Sequence, residues 1–139
     1  MTCTSKIFFV YLFTKLNTTM NEKELEPKET AVEFCERAYP QTTEEFKKIL
    51  DEMYVTFCKK QRNYGPGNIS VGTPLETEED VKLALTGLFF RKNDKIQRIK
   101  QLVVLGQPDE VGENIQDTYE DLSVYGIISQ LVQRGKWAK

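Results

Sequence analysis

The feature that most restricts the fold is a set of apolar residues at helical spacing, with no sustained two-residue alternation anywhere in the chain. Apolar positions recurring three and four residues apart are typical of one buried helix face. The sequence therefore predicts an all-α fold, a compact bundle of three long helices plus one short N-terminal helix. The apolar stripes of the three long helices are Phe46, Ile49, Leu50, Met53 and Phe57; then Val81, Leu85, Leu88, Phe89, Ile96, Ile99 and Val103; and finally Ile115, Leu122, Ile128, Leu131 and Val132.

Prolines, glycines and capping residues place the ends of these helices. A proline disfavours helical conformation in the residue before it, so Pro40 is expected to stop the short helix at Tyr39. Thr42 and Glu45 fit the T-x-x-E capping box, and Thr77 precedes three acids that favour a helix N-terminus. The predicted elements are a helix over 29–38, a helix from Thr42 to about Arg62, a loop in the stretch NYGPGNISVGTPLETEED, a helix from Thr77 to Gly106 and Pro108, and a helix from about Asp109 to Gln133.

Composition excludes several classes of site. The chain has 139 residues, a formal net charge of −2 and no histidine. This removes Ser-His and Cys-His nucleophile pairs and imidazole metal ligands, and it gives no reason to expect direct nucleic-acid or membrane binding. Three scattered cysteines form neither a zinc spacing nor a disulfide framework, which indicates a reducing, cytoplasmic setting. Cys35 and Cys58 are predicted to be small core residues.

The N-terminal segment is assigned separately from the body. Residues 1–28 are predicted to be an extension or leader, disordered or loosely held, and residues 29–139 a single helical domain. The apolar run IFFVYLF is too short to cross a bilayer and lacks the flanks of a signal peptide. Residues 1–19 have two open interpretations: an upstream extension before Met20, or an N-terminal strand or arm packed on the body.

Opposite charges are concentrated on neighbouring segments. Arg91, Lys95 and Arg98 share one side of the third helix, whereas the acids of residues 109–121 place a ridge on the fourth. The members of that ridge are Glu113, Asp117 and Asp121. Two interpretations stay open: the basic and acidic sets neutralise each other across packed helices, or together they hold a metal ion and a phosphate.

The second interpretation specifies a chemistry. Mg²⁺ or Mn²⁺ prefers carboxylate oxygens, and guanidinium groups bind phosphate oxygens in pairs. The predicted catalytic and metal-ligating residues are Asp94, Glu113, Asp117 and Asp121. The predicted phosphate- and nucleotide-binding residues are Arg91, Lys95 and Arg98, with Lys60, Tyr64 and Gly65 from the glycine-rich stretch and Tyr125 from the last helix.

The combination of YGPGN, RKNDKIQR and ENIQDTYEDLSVYGII, within residues 43–137, resembles the nucleotide-modification-associated domain 1 family of phages and bacteria. The resemblance implies a role in deoxynucleotide metabolism or DNA base modification. A looser likeness to the all-α nucleoside triphosphate pyrophosphatases implies magnesium-dependent hydrolysis of a deoxynucleoside triphosphate with release of pyrophosphate, in a homo-oligomer.

The chain departs from the pyrophosphatase pattern, because the third helix offers Asp94 alone where an E-x-x-E is expected. That departure places the catalysis in question more than the fold. Two other kinds of protein therefore remain: a non-catalytic helical module that binds a nucleotide or a protein, and a helical scaffold with complementary charged faces.

Overall fold

The computed structural model describes residues 28–139, so the predicted leader lies outside the described residues except for Lys28. The described residues form helices and no strand, which confirms the all-α prediction. They divide into two compact units between Glu45 and Phe46. The single domain predicted over 29–139 stays a prediction. The elements are α1 (Ala31–Ala38), α2 (Pro40–Tyr64), α3 (Gly67–Ser70), α4 (Glu78–Ile99), a π-helical segment (Lys100–Val104) and α5 (Ile115–Gln133).

In the first unit, a capping box starts α1. The Thr30 hydroxyl accepts a hydrogen bond from the Glu33 amide, and the Thr30 amide donates to Glu33 Oε2 at 2.8 Å. These bonds satisfy amides that a helix N-terminus leaves unpaired, and the one from the Thr30 backbone lowers the pKa of Glu33. The helix ends before Tyr39 as predicted. Cys35 is exposed, so its assignment to a core was wrong.

The predicted start of α2 was also wrong. The helix begins at Pro40, where a missing amide hydrogen costs nothing, rather than at a Thr42–Glu45 capping box. Thr43, already inside the helix, donates its hydroxyl hydrogen to the Tyr39 and Pro40 carbonyls. Gly65, with φ of +67°, closes the other end in the left-handed conformation that glycine adopts without strain.

The glycine- and proline-rich stretch is not simply a loop. It contains the single turn α3, in which Ile69 and Ser70 are buried. The indole Nε1 of Trp137 donates to the Pro66 carbonyl at 3.1 Å and ties the C-terminal residues to this turn. The stretch therefore contributes to the core.

The α4 helix begins as predicted and then changes its pitch. Thr77 caps it, accepting from the Asp80 amide, while the Asp80 carboxylate accepts from the Thr77 amide. After Ile99 the chain continues as the π-helical segment and leaves the helix near Gly106, whose φ is +64°. This end agrees with the predicted glycine stop.

The last helix starts six residues later than predicted. Asn114 is its N-cap, with Oδ1 accepting from the Gln116 amide at 3.0 Å. Before it, Asp109 Oδ1 accepts from the Val111 and Gly112 amides in a non-helical connection. Glu113 therefore does not lie on the helix, and the predicted three-acid ridge was wrong at that position.

In the second unit, α4 and α5 pack antiparallel. Lys92 of α4 contacts Ser129 of α5, and Lys95, further along α4, contacts Asp121, which comes earlier in α5. Side chains from α3, α4, α5 and the C-terminus meet in one core. Burying each of its larger aliphatic members contributes about 1.5–3 kcal/mol. The core residues are Ile69, Ala84, Leu88, Ile128, Val132 and Trp137.

The predicted apolar stripes are only partly buried. Met53 alone of the α2 stripe is buried, while Phe46 is 62% exposed. Among the described residues of α4, Phe89 and Ile96 are at least half exposed, since the stripe is wider than the face that packs on α5. Cys58 is also exposed, which corrects its predicted burial.

Candidate functional site

Three helices meet at the carboxylate of Asp121. Lys60 of α2 lies 2.5 Å from its Oδ1, and Lys95 of α4 lies 2.8 Å from its Oδ2. Burial acts to raise the pKa of Asp121, but the hydrogen bonds and charges of the two lysines outweigh it and the pKa lies below its ordinary value. The hydrogen bond to Asp121 raises the pKa of Lys60. Asp121 and Lys60 are therefore both charged near neutrality.

Arg98, predicted to bind phosphate, bridges two residues of the α4–α5 connection. Its Nη2 donates to Asp109 Oδ2 at 3.1 Å and to the Glu113 carbonyl at 2.7 Å, and its Nη1 bonds the Glu113 carboxylate. The pKa of Asp109 is lowered, first by hydrogen bonds from the Val111 and Gly112 amides and further by Arg98. The guanidinium is only 18% exposed and is committed to this internal role.

The structure does not gather the four predicted metal ligands. Asp94 and Asp117 are exposed, Asp121 lies between two lysines, and Glu113 is paired with Arg98. Among residues 28–139, no three Asp, Glu or Cys side chains are placed to hold a metal ion. These residues do not fit a Mg²⁺ site in this arrangement, and the Mg²⁺ requirement stays a prediction.

Of Arg91, Lys95 and Arg98, two form ion pairs with acids, as the neutralisation interpretation predicts. Lys95 pairs with Asp121 across the antiparallel helices, and Arg98 pairs with Glu113 in the connection between them. Arg91 behaves differently. Its Nη2 donates to the Asn68 carbonyl at 2.8 Å, and its guanidinium lies 6.0 Å from the centre of the Tyr125 ring. Arg91 is thus directed at α3 and a ring, and the distance to Tyr125 suits a cation–π contact.

Lys60, Arg91 and Asp121 open onto one pocket of about 370 Å³ in the second unit. Its base is formed by α3 and the core, and its rim by the end of α2 and the middle of α5. Cations, aromatic rings and amides line it together, a combination suited to a polar ligand with a flat apolar part. The pocket is lined by Phe57, Lys60, Gln61, Tyr64, Asn68, Ile69, Arg91, Asp121, Val124, Tyr125, Ile128 and Trp137.

Asn68 lines this pocket and carries an unpaired acceptor. Its side-chain Oδ1 is buried and has no hydrogen-bond partner within the described part of the chain. An acceptor in that state costs about 1–3 kcal/mol relative to a paired one. Because Oδ1 is covered, a ligand that presents an N–H or O–H donor would recover that free energy only after the Asn68 side chain turns Oδ1 towards the pocket.

The predicted binding residues therefore lie in different places in the structure. Lys60, Tyr64, Arg91 and Tyr125 line the pocket. Lys95 does not line the pocket but pairs with Asp121, which does. Arg98 bonds to the α4–α5 connection, and Gly65 ends α2 in the left-handed conformation.

Asn68 and Trp137 are among the pocket residues that were missed from the sequence. Asn68 follows the glycines of a stretch interpreted as a loop, and Trp137 lies beyond the last periodic residue. The one sequence signal for Trp137 is that it is the single tryptophan of the chain.

Comparisons of the chain with protein-family models, with curated proteins and with solved structures gave no match. Within residues 28–139, no helix has the length and apolar character needed to cross a membrane.

Proposed function

We propose that this protein binds a nucleoside phosphate, a deoxynucleotide in particular, in the pocket between α2, α3, α4 and α5. One observation carries the proposal: the same pocket is lined by an exposed aromatic ring on Tyr64 and by cations on Lys60 and Arg91. A nucleotide has a flat base and an anionic phosphate, and so uses both.

Tyr64 is the candidate platform for the base. Its side chain lies at the end of α2 and is 67% exposed, so a planar group can stack on it without displacing a packed neighbour. Stacking of a base on an aromatic ring contributes about 1–3 kcal/mol. One face of the Tyr125 ring is already in contact with Arg91, so we assign Tyr125 to the side of the pocket rather than to base stacking.

Lys60 is the candidate phosphate ligand. Its side chain is 51% exposed and can turn from Asp121 towards a bound anion at little desolvation cost. Lys95 remains on the other oxygen of Asp121, so this movement does not leave the carboxylate unpaired. Arg91 adds a second positive charge to the pocket lining.

Asn68 supports a contact with the base edge. Amide side chains pair with bases through one acceptor and one donor, and Oδ1 here needs a donor. The N–H groups of a base would supply it once the Asn68 amide turns its covered Oδ1 into the pocket.

Hydrolysis of a deoxynucleoside triphosphate and a role in nucleotide metabolism or base modification rest on the family resemblance alone, and a cytoplasmic setting rests on the scattered cysteines. The positions of the described carboxylates add nothing in favour of hydrolysis. The two activities are therefore tested separately, by measuring binding with and without Mg²⁺ and by measuring released pyrophosphate.

The single tryptophan, Trp137, lines the pocket and reports on binding through its fluorescence. Deoxynucleoside triphosphates are expected to change its emission without added metal. Lys60→Ala should weaken binding about tenfold, which corresponds to roughly 1.4 kcal/mol. Lys59→Ala, its exposed neighbour outside the pocket, should have no effect.

Two results would contradict this proposal. One is the absence of any nucleotide-dependent change in fluorescence or in calorimetry. The other is binding that requires Mg²⁺ and is lost in Asp117→Asn but not in Lys60→Ala, which would favour the metal site over the pocket described here.

A further inference from the structure

The charged pocket is one end of a longer cleft between α2 and α5. Beside the pocket lies a groove of about 240 Å³, and its lining is almost entirely apolar. The pocket and the groove share the side chains of Phe57 and Val124, so they adjoin along the same pair of helices. Both lie within the second unit. The groove is lined by Leu50, Met53, Tyr54, Phe57, Val124, Ile127 and Leu131.

The order of the lining residues in the chain gives the direction of this cleft. Along α2, the groove residues start at Leu50 and the pocket residues end at Tyr64. Along α5 the order is reversed, from Asp121 in the pocket to Leu131 in the groove. Both helices therefore line each end of the cleft, with charged and aromatic groups at one end and apolar groups at the other.

Lys60 lies between the candidate base platform, Tyr64, and the groove. Tyr64 follows Lys60 by one helical turn, and Phe57, where the groove begins, precedes it by nearly one turn. One turn advances about 5.4 Å along a helix. A base stacked on Tyr64 with its phosphate at Lys60 therefore has the groove on the far side of the phosphate.

We propose that the ligand of this cleft is a nucleoside phosphate whose phosphate is esterified with an apolar group. This inference rests on the nucleotide binding proposed above and adds the class of ligand. The apolar group lies in the groove, against Tyr54 and Ile127, which are 67% and 44% exposed. Removing these side chains and the apolar group from water together favours binding.

The distribution of charge supports an ester on the groove side of the phosphate. Lys60 and Arg91 line the pocket, whereas none of the described side chains lining the groove is charged. A free phosphate oxygen directed into the groove would lose water without gaining a cation, which is costly. Esterification puts an apolar chain there instead, and the remaining negative charge stays within reach of the two cations.

Two esters of thymidine monophosphate, the methyl ester and the hexyl ester, test the inference. Their affinities are measured by calorimetry and by the fluorescence of Trp137, which lines the pocket. Each methylene that leaves water completely strengthens binding about fourfold, so the hexyl ester should bind at least about tenfold more tightly than the methyl ester. Hexyl phosphate should bind more weakly than the hexyl ester, because it has no base for Tyr64.

Ile127→Gln tests the position of the apolar group. Ile127 lines the groove but not the charged pocket, and glutamine is compatible with a helix. The advantage of the hexyl ester over the methyl ester should fall at least about threefold, because the hexyl chain loses an apolar contact. Val55→Gln is the matched control: Val55 is 50% exposed, belongs to neither lining and should leave both affinities unchanged. Circular dichroism on each variant shows whether the helices are retained.

The outcomes separate this inference from the proposed function. If neither thymidine monophosphate nor its esters bind, the nucleotide proposal fails and this inference fails with it. If the monophosphate and the methyl ester bind but the hexyl ester binds no more tightly, the nucleotide pocket stands and the apolar group is refuted. An equal effect of Ile127→Gln and Val55→Gln would overturn the position in the groove. Hexyl phosphate binding as tightly as the hexyl ester would overturn the assignment to a nucleotide.

Discussion

Asp121→Asn tests the charged centre of the molecule most directly. The substitution keeps the shape of the side chain but removes the negative charge that Lys60 and Lys95 share. The asparagine can still accept one hydrogen bond, but its amide nitrogen would face the other ammonium. We expect lower stability and, separately, a change in anion binding.

The loss of stability can be estimated from the exposure of each partner. Lys95 is 26% exposed, and a hydrogen bond between charged groups at that depth contributes about 1–1.5 kcal/mol. Lys60 is 51% exposed, so its pair contributes about 0.5 kcal/mol after screening by water. The expected loss is about 1.5 kcal/mol, or roughly 5 °C in Tm for a domain of this size.

Urea unfolding followed by circular dichroism measures this difference, and its pH dependence has a definite sign. The folded pKa of Asp121 is lowered, so its contribution is present above an unfolded value of about 3.9 and disappears as the pH falls through the folded pKa. The gap between wild type and Asp121→Asn should therefore close below about pH 4. Asp117→Asn, exposed one turn earlier on α5, should change stability by less than about 0.5 kcal/mol.

The same variant separates two functional hypotheses. If Lys60 binds phosphate, removing its competitor Asp121 should strengthen binding of a nucleotide. If Asp121 ligates Mg²⁺, binding should weaken. A stability change under about 0.3 kcal/mol, or one that persists unchanged at pH 3, would refute the assignment of the two-lysine pair as a stabilising contact.

The remaining predictions concern single side chains. Arg98→Lys should lower the free energy of unfolding in urea by about 1–2 kcal/mol, because a lysine cannot bind Asp109 and Glu113 with one planar group. Equal stability would contradict the stabilising role of these Arg98 contacts. Trp137→Ala should cost about 3–5 kcal/mol by removing a buried core ring, and a loss under about 1 kcal/mol would show that this ring is not packed. Thr77→Ala should lower Tm by removing an N-cap bond, a loss of about 1 kcal/mol, whereas Thr86→Ala on the exposed side of the same helix should cost less.

Much of the helical layout could be read from the sequence. Thr77 and Gly106 marked the α4 helix correctly, because caps and left-handed glycines act within a few residues. The predicted start of α5 at Asp109 was wrong. The Asp109 carboxylate accepts a hydrogen bond from the Val111 amide in a local turn and another from Arg98, and the contact with Arg98 could not be predicted from neighbouring residues.

The sequence predicted several residues of the candidate site but not which charged groups pair with each other. Lys60, Tyr64, Arg91 and Tyr125 do meet at one pocket. The predicted partner for Asp121 was a metal ion, whereas the described partners are two lysines. Periodicity shows which side of a helix a residue occupies, but it carries no information on what the neighbouring helix presents.

By itself the sequence determined that residues 28–139 are built from helices, where α4 begins and that opposite charges lie on neighbouring segments, because hydrogen-bonded turns and caps depend on residues close together in the chain. The tertiary structure decided which charges pair, that Trp137 closes onto Pro66, and that Phe46 and Tyr54 stay exposed while Met53 is buried. Those outcomes depend on contacts between residues far apart in sequence, where the packing of one helix selects which part of another loses its contact with water.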